Sequence, residues 1–154
     1  MKPLLILLLS IAGCAPAYAH PINMDAIAEI ESSNNPKAVG KVGEIGLYQI
    51  SPIVLKHYNQ SSNQHGLGLV EENELLDPIV NHKVAEWYMN WLFDRCWTVR
   101  DTIIAWNFGI GNWRSWKNWN SEPDVITNPS ALVHLPKITQ DYLKKYEKIT
   151  GEKL

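Results

Sequence analysis

The chain is expected to fold as a mainly α-helical single domain with little or no sheet. Two periodic segments and one absence point there. Between Asp77 and Leu92 the apolar residues Val80, Val84, Trp87, Tyr88, Trp91 and Leu92 return at steps of three, four and one, which aligns them along one side of a helix. Between Leu135 and Thr150, the residues Ile138, Tyr142, Tyr146 and Ile149 predict a closing helix with those four facing inward. No stretch alternates apolar and polar residues long enough to make a convincing sheet.

The remaining elements follow from local signals. A short helix is expected from Asn23 to Glu31, with Asn23 as its cap, Ile27 and Ile30 on one face, and the Asn34-Asn35-Pro36 run as its stop. Ser51-Pro52 places a cap before a proline at the first helical position, where the missing N–H costs nothing, and predicts a second short helix to about His57. Gln60 to Asn73 is rich in Ser, Asn and Gly and reads as a mobile surface loop. Asp77-Pro78 repeats the cap-and-proline start at the head of the long helix. Thr98 caps another that carries Val99, Ile103, Ile104 and Trp106, and Gly109-Ile110-Gly111-Asn112 breaks it. Ser115 to Ser130 reads as irregular. No repeat recurs and no linker divides the chain after its N-terminal segment.

With 45% hydrophobic and 19% charged residues, the 154-residue chain can bury a core, and disorder is not its default. Seven Trp and six Tyr against two Phe favour aromatic rings that carry a polar handle, which suits sugar clefts and core edges alike. The net charge of −2, with basic residues that do not cluster into a stripe, removes the electrostatic basis for a nucleic-acid role. His20, His57, His65, His82 and His134 form no pair at metal-ligand spacing, and no phosphate loop is present, so neither metal nor cofactor is expected.

The N-terminus reads as an address. Met1-Lys2 is a short positive end, Leu4 to Ala12 is apolar but too short to span a bilayer, and Ala17-Tyr18-Ala19 is a small-x-small site before His20. A signal peptide over residues 1–19 and a mature domain over 20–154 are expected, which exports the protein. Ile11-Ala12-Gly13-Cys14 offers a second reading, since it resembles a bacterial lipobox that would place a lipid on Cys14 and attach the protein to a membrane. Cleavage after Ala19 is favoured because the apolar stretch before Cys14 is short even for a signal peptide. It leaves Cys96 as the one thiol, expected to be buried and structural, with no internal disulfide.

The most informative stretch is Glu29 to Pro52, EIESSNNPKAVGKVGEIGLYQISP. Glu31 lies where an apolar-faced helix gives way to a polar turn, and a Gly-rich segment ending Gly46-Leu47-Tyr48-Gln49-Ile50 follows. A carboxylate near a helix C-terminus meets an unfavourable dipole. Apolar neighbours add to that, so the acid form is favoured and the group suits general acid catalysis. Glu29 projects to another side of the helix and is a poor partner. Glu44 is the other nearby carboxyl and is read mainly as loop surface.

This segment resembles the lytic transglycosylases of the lysozyme-like superfamily, the SLT family, in which a single Glu at the end of a helix cleaves peptidoglycan. Three later segments extend the resemblance in the family's order. Leu75-Leu76-Asp77-Pro78-Ile79-Val80-Asn81 looks like the family's hydrophobic-DPxxN helix start. Ala105-Trp106-Asn107-Phe108-Gly109-Ile110-Gly111-Asn112 is similar to its A-Y-N-A-G-x-G-N segment. Thr139-Gln140-Asp141-Tyr142 resembles its T-R-x-Y helix. The resemblance implies a lysozyme-like fold, Glu31 as the catalytic acid, and Ser32, Tyr48, Gln49, Asn107 and Tyr142 as substrate-binding residues. It further implies peptidoglycan glycan strands as substrate, a periplasmic location and 1,6-anhydromuramic products formed without water. Small members of the family often serve envelope-spanning secretion or conjugation machines.

Departures are visible. Tyr48 replaces a Met, Phe108 a small residue that it should turn into apolar wall, Glu44 a small residue, Gln140 an Arg, and Ile138 the Glu that often precedes the Thr. Trp113, Trp116 and Trp119, three residues apart, fit core or cleft-edge packing better than a sugar-stacking strip. A hydrolytic muramidase using Glu44 or another acid to activate water, and a wall-binding or assembly module without activity, are the competing readings.

Overall fold

The structure, a computed structural model, describes residues 21–61, 67–119 and 134–154. Among them the elements run α1 (Met24–Ser32), α2 (Pro52–Gln60), a 3₁₀ helix (Glu72–Leu76), α3 (Pro78–Cys96), α4 (Val99–Phe108), α5 (Ile110–Trp119) and α6 (Lys137–Thr150). The β pairing found in the described residues is confined to isolated antiparallel bridges, Val39 with Ile45 and Ile45 with Ile50. The mainly α expectation holds. No described helix is long and apolar enough to cross a membrane. Residues 1–19, with Cys14, lie outside the described residues.

Most helix starts follow the caps in the sequence. The Asn23 side-chain oxygen accepts the Ala26 N–H at 3.0 Å, Asp77 accepts those of Ile79 and Val80 at 2.7 and 3.3 Å, and the Thr98 hydroxyl accepts that of Asp101 at 3.1 Å. Ser51 precedes Pro52 as expected but its side chain makes no cap bond. The long helix α3 packs on α2, the 3₁₀ helix and α4, while α6 closes against α1 and α4. Ile27, Val84, Met89, Leu92, Ile103, Ile104 and Tyr146 are fully enclosed between these layers. Cys96 is free and buried, and burial, with the Asp101 charge adding, pushes its thiol up to about 12.

Three expectations need correction. Gly109 does interrupt the helix, at φ 87°, but the chain resumes helical structure at once, so Ser115 to Trp119 belongs to α5 rather than to an irregular segment. Trp113 and Trp116 are buried there and pack in the core; the Trp119 side chain is outside the described set. The closing helix buries Thr139, Tyr142, Leu143 and Tyr146, whereas Ile138 is 72% and Ile149 47% exposed. A hydrophobic-only periodicity missed the polar Thr139 that the core accepts in their place. The loop after α2 is not wholly loose either. α2 runs on to Gln60, and Asn59 clamps buried Val70 through both backbone groups, at 2.8 and 2.9 Å.

Asn81, fully buried on the first turns of α3, explains why the Asp-Pro-x-x-Asn start carries an amide. Its oxygen accepts the Tyr48 N–H at 2.9 Å, and its NH₂ donates to the carbonyls of Ile45 and Leu75, both at 2.9 Å. Gly46, at φ 80°, passes so close that a Cβ there would collide with this amide and the Leu75 carbonyl. The long helix thereby pins the segment 45–48. Asn81→Leu keeps the volume but strands three buried backbone groups. It is expected to cost about 2–4 kcal/mol in denaturant unfolding; a loss below ~1 kcal/mol would mean the segment is held by something else.

Candidate active site

Glu31 sits in the last turn of α1, which ends as Ser33 and Asn34 turn left-handed at φ 53° and 60°. Burial raises its carboxyl above the ordinary 4.5, partly opposed by two hydrogen bonds and reinforced by the Glu44 charge. The indole N–H of Trp106 on α4 donates to Glu31 Oε1 at 2.7 Å, and the Tyr142 hydroxyl on α6 donates to the same oxygen at 2.8 Å. Oε2 makes no hydrogen bond to a described residue. Both donors thus fall on one oxygen of a residue that lines a groove. Tyr142 itself is held well above its usual range by burial and by the Glu31 charge, so its phenol stays a donor.

A groove crosses Glu31 and divides into two halves, both lined by Glu31 and Asn107. One, of about 480 Å³, runs past Gln49, Glu44, Val54, Tyr88 and Phe108. The other, of about 800 Å³, runs along α6 past Tyr142 and Ile138. In the first half the Tyr88 ring lies tilted against Trp106, 5.8 Å between centroids, and Ile53, 75% exposed, forms an apolar rim. The Asn107 side-chain oxygen is buried with no hydrogen-bond partner among the described residues, a vacant acceptor beside the acid.

The residues singled out in the sequence separate into two groups. Glu31, Gln49, Asn107 and Tyr142 meet around the groove, and Phe108 forms wall as expected. Tyr48 does not join them. Its ring is 3% exposed and its hydroxyl bonds His82 Nδ1 at 2.7 Å, so it has no face to offer a sugar. Burial in the core beneath the loop replaces the expected contact. Ser32 is likewise turned inward, its hydroxyl donating to the Leu47 carbonyl at 2.8 Å and accepting the Asn35 N–H at 3.1 Å, which ties α1 to the loop.

Gln49, at φ 46°, lines the groove while its NH₂ braces the loop on the Gly46 carbonyl at 3.0 Å. Glu44, read mainly as loop surface, in fact lines the groove, its carboxylate accepting the Val42 N–H at 3.2 Å and covering Gly40. Trp106 was missed as a site residue. The signal was its place before Asn107, where the related motif has Tyr: indole and phenol each keep a single donor on an aromatic body. Among the described residues no cluster of His, Cys, Asp or Glu could hold a metal.

A family model described as the transglycosylase SLT domain matches residues 17–128. Among solved structures, the 70 kDa soluble lytic transglycosylase SLT70 from Escherichia coli is similar at TM-score 0.60 and 26% identity. The match covers 83% of this chain but 22% of that one, so the chain corresponds to about a fifth of the larger protein. No curated protein sequence matches.

The raised Glu31 carboxyl has a consequence for stability. Folding penalises its charged form, so its protonated form is favoured in the folded state; the associated stability is fully present below pH 4.5 and is lost as pH rises through the folded value. Glu31→Gln removes that penalty. In thermal unfolding the variant is expected to match the wild type at about pH 4 and to melt higher at about pH 8. A wild type that melts higher at the alkaline end would contradict a buried, acid-form carboxyl.

Proposed function

Because the chain belongs to the transglycosylase SLT domain family, we propose that it is an exported peptidoglycan lytic transglycosylase in which Glu31 makes both proton transfers. The observation that carries the reading is the asymmetric Glu31 carboxyl on the groove wall: Trp106 and Tyr142 both donate to Oε1, and no described residue donates to Oε2. In the first step Oε2–H protonates the oxygen bridging the muramyl C1 to the next sugar. The C1–O bond breaks and the N-acetyl carbonyl of the same muramyl unit closes on C1. Glu31, now ionised and unfavourable where it is buried, takes the proton from the 6-hydroxyl. That oxygen bonds C1, the N-acetyl group is released, and a 1,6-anhydromuramic end forms with no water consumed.

The other groups have supporting parts. The Asn107 amide, on the groove wall beside Glu31, offers the N-acetyl group a hydrogen-bonding partner. Tyr142 and Trp106 hold the carboxyl and stabilise its ionised form after the first transfer. Tyr88, Phe108 and Val54 present apolar surface to sugar faces. Export follows from the N-terminal segment, with cleavage after Ala19 favoured over a lipid on Cys14; N-terminal sequencing of exported material decides between them. Service to a secretion or conjugation machine is carried by family analogy alone.

One observation favours a second reading. Glu44 shares the groove with Glu31, and two carboxyls across a glycosidic bond are the usual equipment of a hydrolase. A hydrolytic muramidase would leave reducing ends instead of anhydro ends.

Mass spectrometry of muropeptides released from purified peptidoglycan reads both the activity and its chemistry. Anhydro ends are expected, reducing ends would transfer the assignment to the hydrolase, and Glu31→Gln should lower release by ~10²–10⁴-fold or more while staying folded. Tyr142→Phe and Trp106→Phe each remove one donor to Oε1 and are expected to lower turnover about tenfold with little change in melting temperature. Retention of full turnover by both would make those contacts structural.

A further inference from the structure

Resting on that reading, we propose that Glu44 and Gln49 form a seat for a primary ammonium in the Tyr88 half of the groove, so that glycan chains whose glucosamine units lack the N-acetyl group bind better than fully acetylated ones. Glu44 stands where the related motif has a small residue, so the seat belongs to this chain rather than to the motif. Its carboxylate is partly buried, accepts the Val42 N–H at 3.2 Å and makes no ion pair with a described residue. Among the described residues that line this half there is no Lys, Arg or His. Gln49 commits its NH₂ to the carbonyls of Ala38 at 3.3 Å and Gly46 at 3.0 Å, so the oxygen of its amide remains as an acceptor. That oxygen and Glu44 Oε2 are the two oxygens nearest the place a Cβ on Gly40 would take, which puts the two acceptors side by side.

A loop Glu is most often only solvated surface, but this one lines the groove that holds the acid, and a ligand lying there must cover it. Covering an unpaired carboxylate with a neutral sugar costs its hydration, and a hydroxyl returns one donor and no charge. An ammonium brings three donors and the opposite charge, so it serves both acceptors and offsets that cost. On a glycan chain, a free 2-amino group is such a cation. It has to be carried by the glucosamine unit, because in the proposed mechanism the N-acetyl group of the muramyl unit closes on C1. An amino group of an attached peptide has the same chemistry, and peptide-free chains separate the two sources. The glycine at 40 is part of the seat: any side chain there would meet the Glu44 carboxylate.

The test compares peptide-free glycan chains of matched length, fully acetylated or with the glucosamine units enzymatically de-N-acetylated and the muramyl N-acetyl groups intact. Binding is measured with the Glu31→Gln protein, and release of products with the wild type. The de-N-acetylated chains are expected to bind about three- to tenfold tighter, and added salt should shrink the preference. Adding Glu44→Gln should bring it to within about twofold while acetylated chains bind at least as well as before, because an amide has less hydration to lose. Adding Gly40→Ala instead should also reduce it with the charge still present, since the new Cβ displaces the flexible end of Glu44. Glu86→Gln, on an exposed part of α3 outside the groove, should leave it intact. Equal binding of the two chain types, a preference seen only when peptides are attached, equal weakening of both by Glu44→Gln, or loss of the preference in Glu86→Gln would overturn the proposal. Absence of anhydro products from either chain would count against the lyase reading instead, because the binding ratio stands on its own.

Discussion

On the proposed mechanism, Glu31 must be dry enough to keep its proton and open enough to give it away. Burial supplies the first condition, and the place of Glu31 in the groove wall the second. The donors on Oε1 come from 75 and 111 residues away in the sequence, so neither contact forms until α4 and α6 have docked against α1. The last turn of α1 is held from the other side by the Ser32 hydroxyl on Leu47, and that loop is held in turn by Asn81 of α3. A chain of buried polar contacts thus runs from the long helix to the acid. Buried polar contacts are costly to leave half made, which fixes one geometry and resists the neighbouring ones.

The electrostatics of the groove extend the same logic. Around Glu31, the Glu44 charge favours the acid form and the Lys145 charge the ionised form, both weaker than burial and the two donors. A group that the proposed mechanism uses as an acid in one step and a base in the next benefits from neighbours that oppose each other. Burial sets the starting state, and the hydrogen bonds from Trp106 and Tyr142 keep the ionised intermediate from being prohibitive.

Much of this was legible in the sequence because it is written in local codes. Caps at Asn23, Asp77 and Thr98, the proline starts, and the apolar stripe of α3 each act over a few residues, and each was found. Glu31, Asn107 and Tyr142 could be singled out because they sit in motifs with fixed neighbours, and the structure brings them to one groove. What stayed hidden is what only packing decides. Nothing in the order of residues says that Tyr48 turns inward to His82, or that Ile138 faces the groove while Thr139 takes the core position. Trp106 was overlooked because its indole N–H becomes a site donor only once α4 lies over α1.

The most direct measurement is a ¹³C NMR titration of the Glu31 side-chain carboxyl in the wild-type protein and in Tyr142→Phe. A midpoint clearly above 4.5 is expected. It should rise further in the variant, because the phenol's hydrogen bond favours the ionised form and its removal leaves burial less opposed. A midpoint at or below 4.5, or one that falls when the phenol hydroxyl is removed, would contradict a buried acid held by donors on a single oxygen.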